Sequence, residues 1–440
     1  MYSHFRFTLN KFKEPVFAFQ YFQAIRYLVS ILISVIMVRC GLSGADLGHY
    51  EFWIFVVTAL TFFWSAGIKN AILSYYPGLD IVSGQRLIFN VFILLFLVSL
   101  IFGFVILLFP DFLISFFADV GKMPFAAYVA LYLVLSVPVV LTENILYLRH
   151  DANSLIRYTH WSQLSLLFLF AIVGYCSPLL SSFLLVLVIS AFIRFCYLCY
   201  LLLSVSQVTP DWKSLRIFLI FSLPLILNML LGSVMDLIDG WFVSRYFDIS
   251  YFPVFRYGAR ELPFSTILFS SLSAAMIPVL IREGKDSYAL KTRANRLMHI
   301  LFPLSLLCMI ISPSLFPLVY SDIFKESAFI FNIYLLILTS RVLMPQAFNF
   351  ALHQHKIIIW SGILEIIANI ILSFWWMQIW GVYGLALATV ASYFVQKIIL
   401  IYYNYRFNGI TLSHYIDVRS YLGYCFASIL VFIITIKFLS

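Results

Sequence analysis

Apolar runs of about 20 residues recur from one end of this chain to the other, and the loops between them are no longer than roughly 20 residues. A helix needs ~20 apolar residues to cross the hydrocarbon core of a bilayer. A chain punctuated at that spacing can bury its backbone polar groups in lipid only by folding into a bundle of spanning helices. Composition agrees. Hydrophobic residues make up 63% of the 440 and charged residues 11%, with a mean hydropathy of +1.00, whereas soluble domains have roughly 45–50% apolar and about 25% charged residues. The chain is read as an integral membrane protein without a soluble domain.

The expected spans lie near 19–40, 50–74, 87–109, 123–148, 158–176 and 179–204, then near 216–240, 252–281, 297–320, 328–352, 357–379 and 381–404, with a thirteenth at 421–438. The basic N-terminus, "MYSHFRFTLNKFKEPVF", precedes a run too long for a signal-peptide core, so the first span is expected to be uncleaved. Lysines and arginines concentrate in alternate loops. One set holds Arg6, Lys11, Lys13, Arg86, Arg149, Arg157, Lys213, Arg216, the stretch "REGKDSYALKTRANR" at 282–296, Lys356, Arg406 and Arg419; the other holds little beyond Lys122, Arg245 and Lys325. The positive-inside rule then places the N-terminus in the cytoplasm. The net charge of +9 is thereby a topological signal and not a nucleic-acid one.

The polar link "SQVTPDWKSLR" divides the chain. The expected organisation is a six-helix lobe over 1–205, a cytoplasmic linker at 206–216, a second six-helix lobe over 217–404, and a loop with an extra helix over 405–440. A weak repeat agrees: 48–73 can be laid on 255–280, with Tyr50 meeting Tyr257. Paired six-helix halves suggest a transporter with its site between them.

Charges inside apolar runs are expensive, about 2.5–3.5 kcal/mol for Arg or Lys at a helix centre, so each has a function, a partner or a short reach to the surface. In the stretch "FRYGARELPF" at 255–264, Arg256 and Arg260 are four apart and are expected on one face of a continuous eighth span, with Pro263 kinking it and Glu261 pointing elsewhere. Arg26 in the first span and Lys69 in the second lack an acidic residue one turn away in their own helices. Arginine forks and lysine point charges bind phosphate oxygens, so Arg26, Lys69, Arg256 and Arg260 are the candidate substrate-binding residues for a large anionic head group. Glu143, Asp236, Asp239, Glu261 and Glu365 are candidates either for ion coupling, with H+ or Na+, or for structural pairing; Asp239 with Arg260 is one such pair. Arg194 and Lys397 read as snorkelling or structural cations, and Arg341 joins the intramembrane set.

Other chemistries find little support. No nucleotide-binding G-x-x-x-x-G-K-[ST], H-E-x-x-H or nucleophile elbow occurs. Cys196 and Cys199 form a lone CxxC within an apolar run, and "HQH" at 353–355 sits at a helix end; neither reads as a metal site. The residual class is a secondary carrier that is not an enzyme and needs no cofactor beyond a coupling ion.

Several stretches in order resemble the polysaccharide branch of the MOP superfamily of exporters, the flippases of O-antigen and capsule units. They are "SGADLGHYEFW" at 43–53, "FSLPLILNMLLGSVMDLIDGWFVSRYF" at 221–247, "YGARELP" at 257–263 and "GVYGLALATVASYFVQKIILIYYNYR" at 381–406, and the likeness spans roughly residues 15–405. The resemblance implies two six-helix lobes in a V around a central cavity and alternating access in a bacterial cytoplasmic membrane. The implied substrate is an undecaprenyl-diphosphate-linked oligosaccharide. Membrane lipids and the polysaccharide polymerase and chain-length machinery are the implied partners. In related lipid-carrier flippases, cations of the first, second and eighth spans engage the diphosphate; the matching positions are Arg26, Lys69, Arg256 and, less closely, Arg260. Thirteen spans depart from the common twelve or fourteen. The main rival is a multidrug exporter of the same fold, which wants an acid in the first span where this chain has Arg26. A second rival, a glycan polymerase or ligase, usually carries a long outer loop that this chain lacks. On the flippase reading, Arg256→Ala abolishes export without loss of protein and Arg256→Lys retains part of it.

Overall fold

The computed structural model describes residues 14–118, 124–262, 265–284 and 288–439, with the side chains of 228, 231–233, 236 and 437–439 left undescribed. The described chain is helical throughout. Its helices are α1 (Pro15–Arg39), α2 (Gly44–Tyr75), α3 (Ile81–Leu108), α4 (Pro110–Phe117), α5 (Ala126–Leu148), α6 (Ala152–Thr159), α7 (Ser165–Cys176), α8 (Leu180–Val205) and α9 (Trp212–Tyr246). They continue as α10 (Tyr251–Gly258), α11 (Ser265–Glu283), α12 (Ala289–Val319), α13 (Lys325–Leu335), α14 (Ile337–Arg341), α15 (Gln346–Ala351), α16 (His355–Trp380), α17 (Val382–Tyr403), α18 (Leu412–Tyr415) and α19 (Val418–Leu439). Among the described residues, 12 stretches are long and apolar enough to cross a membrane. With the 35-residue α9 they account for every expected span, including the last.

Packing divides the chain into two compact units. One comprises Met1–Ser233 with Asp248–Ser250, and the other Val234–Phe247 with Tyr251–Ser440. The boundary falls inside α9, beyond the polar link. The link itself is anchored to the first unit: the Arg86 side chain donates to Gln207 Oε1 at 3.2 Å, and the Asp211 amide donates to Asn90 Oδ1 at 3.0 Å. Asp211 in turn caps α9, accepting from the amide of Ser214 at 3.1 Å and its hydroxyl at 2.7 Å.

In the first unit α5 is the central post, packed against α1, α2, α3, α6 and α8. It carries Pro138 in its interior. A proline there leaves the carbonyl four residues earlier without its helical donor. Ser99 of α3 comes close enough to share its donor: the hydroxyl lies 2.8 Å from the Phe96 carbonyl and 3.3 Å from the Val134 carbonyl. The second unit repeats the device. Pro313 frees the Met309 carbonyl, which accepts from Asn332 Nδ2 at 3.2 Å and from the Ser312 hydroxyl at 3.1 Å. Asn332 is fully buried and also reaches Thr435 of α19 at 3.2 Å, so one amide ties three helices. In lipid no water can satisfy such freed groups, and neighbouring side chains must.

The eighth span corrects the expectation. It is not one helix: α10 ends at Gly258, and α11 begins at Ser265. Arg260 and Glu261 lie in the non-helical break, so Arg256 and Arg260 do not share a helix face. Two physical causes converge. Leu262 precedes Pro263, which steers its backbone away from the helical region. Gly258 is pressed onto the next layer, where a Cβ would meet the Ser327 carbonyl oxygen at 2.5 Å. The kink assigned to Pro263 lies outside the described residues. The tenth expected span is likewise interrupted. Its helical part runs from Asp322 to Arg341, followed by a turn and the short α15.

Candidate functional site

The first unit contains a cavity of about 320 Å³. Four elements deliver its functional side chains. Arg26 comes from α1, Glu143 from α5, Tyr158 from α6 and Arg194 from α8. Hydroxyls from α2 and α5, including Thr58, Thr61 and Ser136, and the amide side chain of Gln163 complete a lining that is half polar in an otherwise apolar bundle.

Glu143 organises the cationic wall. It is buried within α5, which would be prohibitive for an unpaired carboxylate. Lys69 of α2 donates to Glu143 Oε1, and the Arg26 guanidinium lies 3.9 Å from Glu143 Oε2. The acidic partner that neither cation has in its own helix thus arrives from a third helix. Lys69 also lies over the Phe19 ring, 5.0 Å from its centroid, and Arg26 over Phe22 at 5.5 Å. Asn144, next to Glu143, donates to the Lys69 carbonyl at 3.3 Å and so holds α5 and α2 in register. Gly67, two residues before Lys69, lets α2 approach α9 closely; a Cβ there would meet Ile226 Cα at 2.5 Å.

Arg194 lines the same cavity as Arg26. Its Nε donates to the Ser190 carbonyl at 3.1 Å and an Nη to the Ser190 hydroxyl at 3.0 Å, one turn back on its own helix. Among the described residues no carboxylate lies within ion-pairing distance of it. The Ser190–Arg194 spacing of four was the signal available in sequence for this fold-back. Tyr158 and Gln163 were also missed. A π-helical turn at His160–Leu164, the kind of bulge that recurs at functional sites, begins two residues after Tyr158 and carries Gln163.

In the second unit the intramembrane charges fall into separate clusters. Glu261, held in the break between α10 and α11, takes a two-pronged ion pair from Arg341, with Nε to Oε2 at 3.1 Å. It also accepts from the Thr266 hydroxyl at 2.8 Å. The Arg341 guanidinium lies over the Tyr393 ring, 4.7 Å from its centroid. Lys397 is buried and donates to Gln346 at 3.1 Å and Gln396 at 3.3 Å, and Glu365 is buried on α16. Asp239, the expected partner of Arg260, accepts from the Tyr334 hydroxyl at 2.6 Å and from Thr389 Oγ1 at 2.7 Å. Arg260 lies over Tyr257, 5.4 Å from the ring centroid. Arg256 is placed on α10, partly buried. The Asp236 side chain lies outside the described residues. The structure therefore groups Arg26, Lys69 and Glu143 at one site and adds Arg194; Glu261, Asp239 and Glu365 belong to other clusters.

A family profile described as "Polysaccharide biosynthesis protein" matches residues 36–329. The chain belongs to this family. Its fold is that of MOP-superfamily transporters. It is similar to an inward-closed structure of the lipid II flippase MurJ, with a TM-score of 0.68 at 14% identity over 95% of this chain and 92% of that one. It is also similar to an inward-facing multidrug MATE transporter of the MOP superfamily, at 0.62 and 13% identity over 88% and 95%. A eukaryotic MATE transporter matches at 0.59 and 13% over 95% and 98%. No curated protein sequence matches. At these identities the structural likeness speaks for the fold; the family speaks for polysaccharide biosynthesis.

Proposed function

We propose that this polysaccharide-biosynthesis family member is a flippase that carries undecaprenyl-diphosphate-linked oligosaccharides from the inner to the outer leaflet of a bacterial cytoplasmic membrane. It would do so by alternating access, its N-terminus in the cytoplasm, for O-antigen or capsule assembly. The observation that carries this reading is the cavity of the first unit. Arg26 and Arg194 both line it, while Glu143 is the carboxylate in its wall and is already engaged by Lys69. An excess of guanidinium in a low-dielectric cavity attracts an anionic group and repels a cationic drug, which disfavours the multidrug-exporter alternative despite the shared fold. The polymerase reading would need a free base, and the carboxylate of this cavity, Glu143, is already tied to Lys69.

Transport needs an energy source, and on this reading a coupling cation would act in the second unit. Asp239, Thr389 and Asn369 form a buried oxygen-rich cluster in which Asn369 Nδ2 donates to Thr389 at 3.2 Å and Asn369 Oδ1 has no partner. Such a set fits H+ on Asp239 or a Na+ ion among the oxygens. Asp239→Asn is expected to uncouple export from the ion gradient while leaving the diphosphate site intact.

The test is the sidedness of the lipid-linked glycan in cells lacking the chain, with wild-type, Arg26→Ala and Arg256→Ala add-backs. Accumulation of units on the cytoplasmic face, cured by wild type and not by Arg26→Ala, supports the flippase. Normal export of glycan without the chain removes this reading, and units stranded outside but unpolymerised point to a polymerase.

A further inference from the structure

The cavity of the first unit carries more guanidinium than carboxylate. In the second unit Arg341 is matched by Glu261. In the first, Arg26 and Arg194 line the cavity with Glu143, which Lys69 already engages. Lys69 takes the close contact with Glu143, and Arg26 is left at 3.9 Å with its side chain 51% exposed. Arg194 has a serine for a partner.

A structural strut would be expected to end on an acid or a ring of carbonyls. The fold-back of Arg194 onto Ser190 uses Nε and one Nη and leaves the remaining N–H donors of the fork available. Arg26, Tyr158 and Arg194 all line this one cavity, so both guanidiniums border the same space. Gln163 brings an amide to the same lining.

Resting on the flippase reading, we propose that Arg194 is a second oxyanion-binding residue of this cavity, acting with Arg26, and that the cavity takes an anionic group. The ligand chemistry is a phosphate or carboxylate oxyanion held by planar N–H donors. It has two possible sources on one substrate, the diphosphate of the lipid carrier or an acidic sugar of the glycan. Ser190 is the positioning residue that keeps the fork turned along α8.

The experiment uses the full-length chain in nanodiscs, titrated with farnesyl diphosphate and separately with methyl glucuronide, followed by intrinsic fluorescence. Wild type is expected to bind at least one probe, with affinity falling as salt rises. Arg194→Gln is expected to weaken that binding by roughly tenfold to a hundredfold, the worth of a charge-assisted hydrogen bond. Arg194→Lys, which keeps the charge and gives up the fork, is expected to retain an intermediate affinity. Loss confined to farnesyl diphosphate assigns the oxyanion to the carrier; loss confined to methyl glucuronide assigns it to an acidic sugar. Arg157→Gln, an exposed arginine outside the cavity and bonded to Ser154, is expected to bind as wild type does. The proposal is overturned if wild type binds neither probe, if Arg194→Gln binds as wild type does, or if Arg157→Gln weakens binding equally. Should Arg194→Gln prove unstable on heating, Arg194→Lys decides: a folded lysine variant with no binding above that of Arg26→Ala overturns it. The flippase reading fails separately, by normal glycan export in cells without the chain.

Discussion

At the scale of single residues, Glu143 is the side chain on which the candidate site depends. Removing one partner of a buried ion pair leaves the other charge uncompensated, at a typical cost of 3–5 kcal/mol, whereas replacing both by apolar groups is often neutral. Lys69 retains some exposure at 14%, so the lower end applies. Glu143→Gln is expected to destabilise the chain by about 3 kcal/mol, read as a lower midpoint of thermal unfolding in detergent. The double variant Lys69→Met/Glu143→Leu is expected to recover that midpoint and still fail to export. Recovery of both stability and export would make the cluster scaffold only. Lys69 and Arg26 were identifiable from sequence as costly charges, because an isolated cation in an apolar run is conspicuous. That they meet on one carboxylate was not, since the acid lies 74 residues from Lys69.

The helices show how prolines are accommodated in lipid. Ser99 and Pro138 form a pair in which the hydroxyl is shared with a carbonyl that the proline has freed. Ser99→Ala is expected to cost roughly 1 kcal/mol in the wild-type background and much less when combined with Pro138→Ala, since the restored amide then serves the carbonyl itself. A double-mutant cycle by thermal unfolding measures the coupling, and additive effects would contradict the pairing. The same reasoning applies to the break between α10 and α11. Gly258→Val is expected to separate α10 from α13, because its side chain would strike the Ser327 carbonyl, and to lower both the unfolding midpoint and export. The expected continuous span failed here for an identifiable reason. Hydropathy registers that a segment is apolar, and "YGARELP" within it carries the break in two residues, Gly258 and Pro263, whose effect depends on what packs beside them. Exposed caps behave oppositely. Asp211 and Asp417 accept hydrogen bonds from Ser214 and Ser420, which hold their carboxyls below the usual range. Their contribution is present above the unfolded carboxylate value and is lost only as pH falls through the depressed folded value. The unfolding midpoint is therefore expected to show no loss from these caps between about pH 8 and pH 5.

For the whole molecule, topology is the testable quantity. Thirteen helical runs with basic loops on alternate sides place the C-terminus outside if the N-terminus is inside. Alkaline phosphatase fused after residue 439 is expected to be active, and the same enzyme fused in the polar link at Gln207 inactive; the reverse pattern would invert the orientation. The two compact units divide within α9, and Arg86 and Asn90 hold the polar link against α3.

The sequence by itself determined that this chain spans a membrane many times, where nearly every span lies, and which charges are out of place. These follow from local quantities, the length of an apolar run and the cost of an ion within it. Only the tertiary structure decided which of those charges are neutralised and which are not. Arg341 and Arg194 look alike in sequence, each a lone arginine in an apolar helix. One closes on Glu261, 80 residues away, and the other turns back on Ser190 and faces a cavity. Whether a buried cation is scaffold or site depends on its counter-charge, and the counter-charge is brought by a different helix.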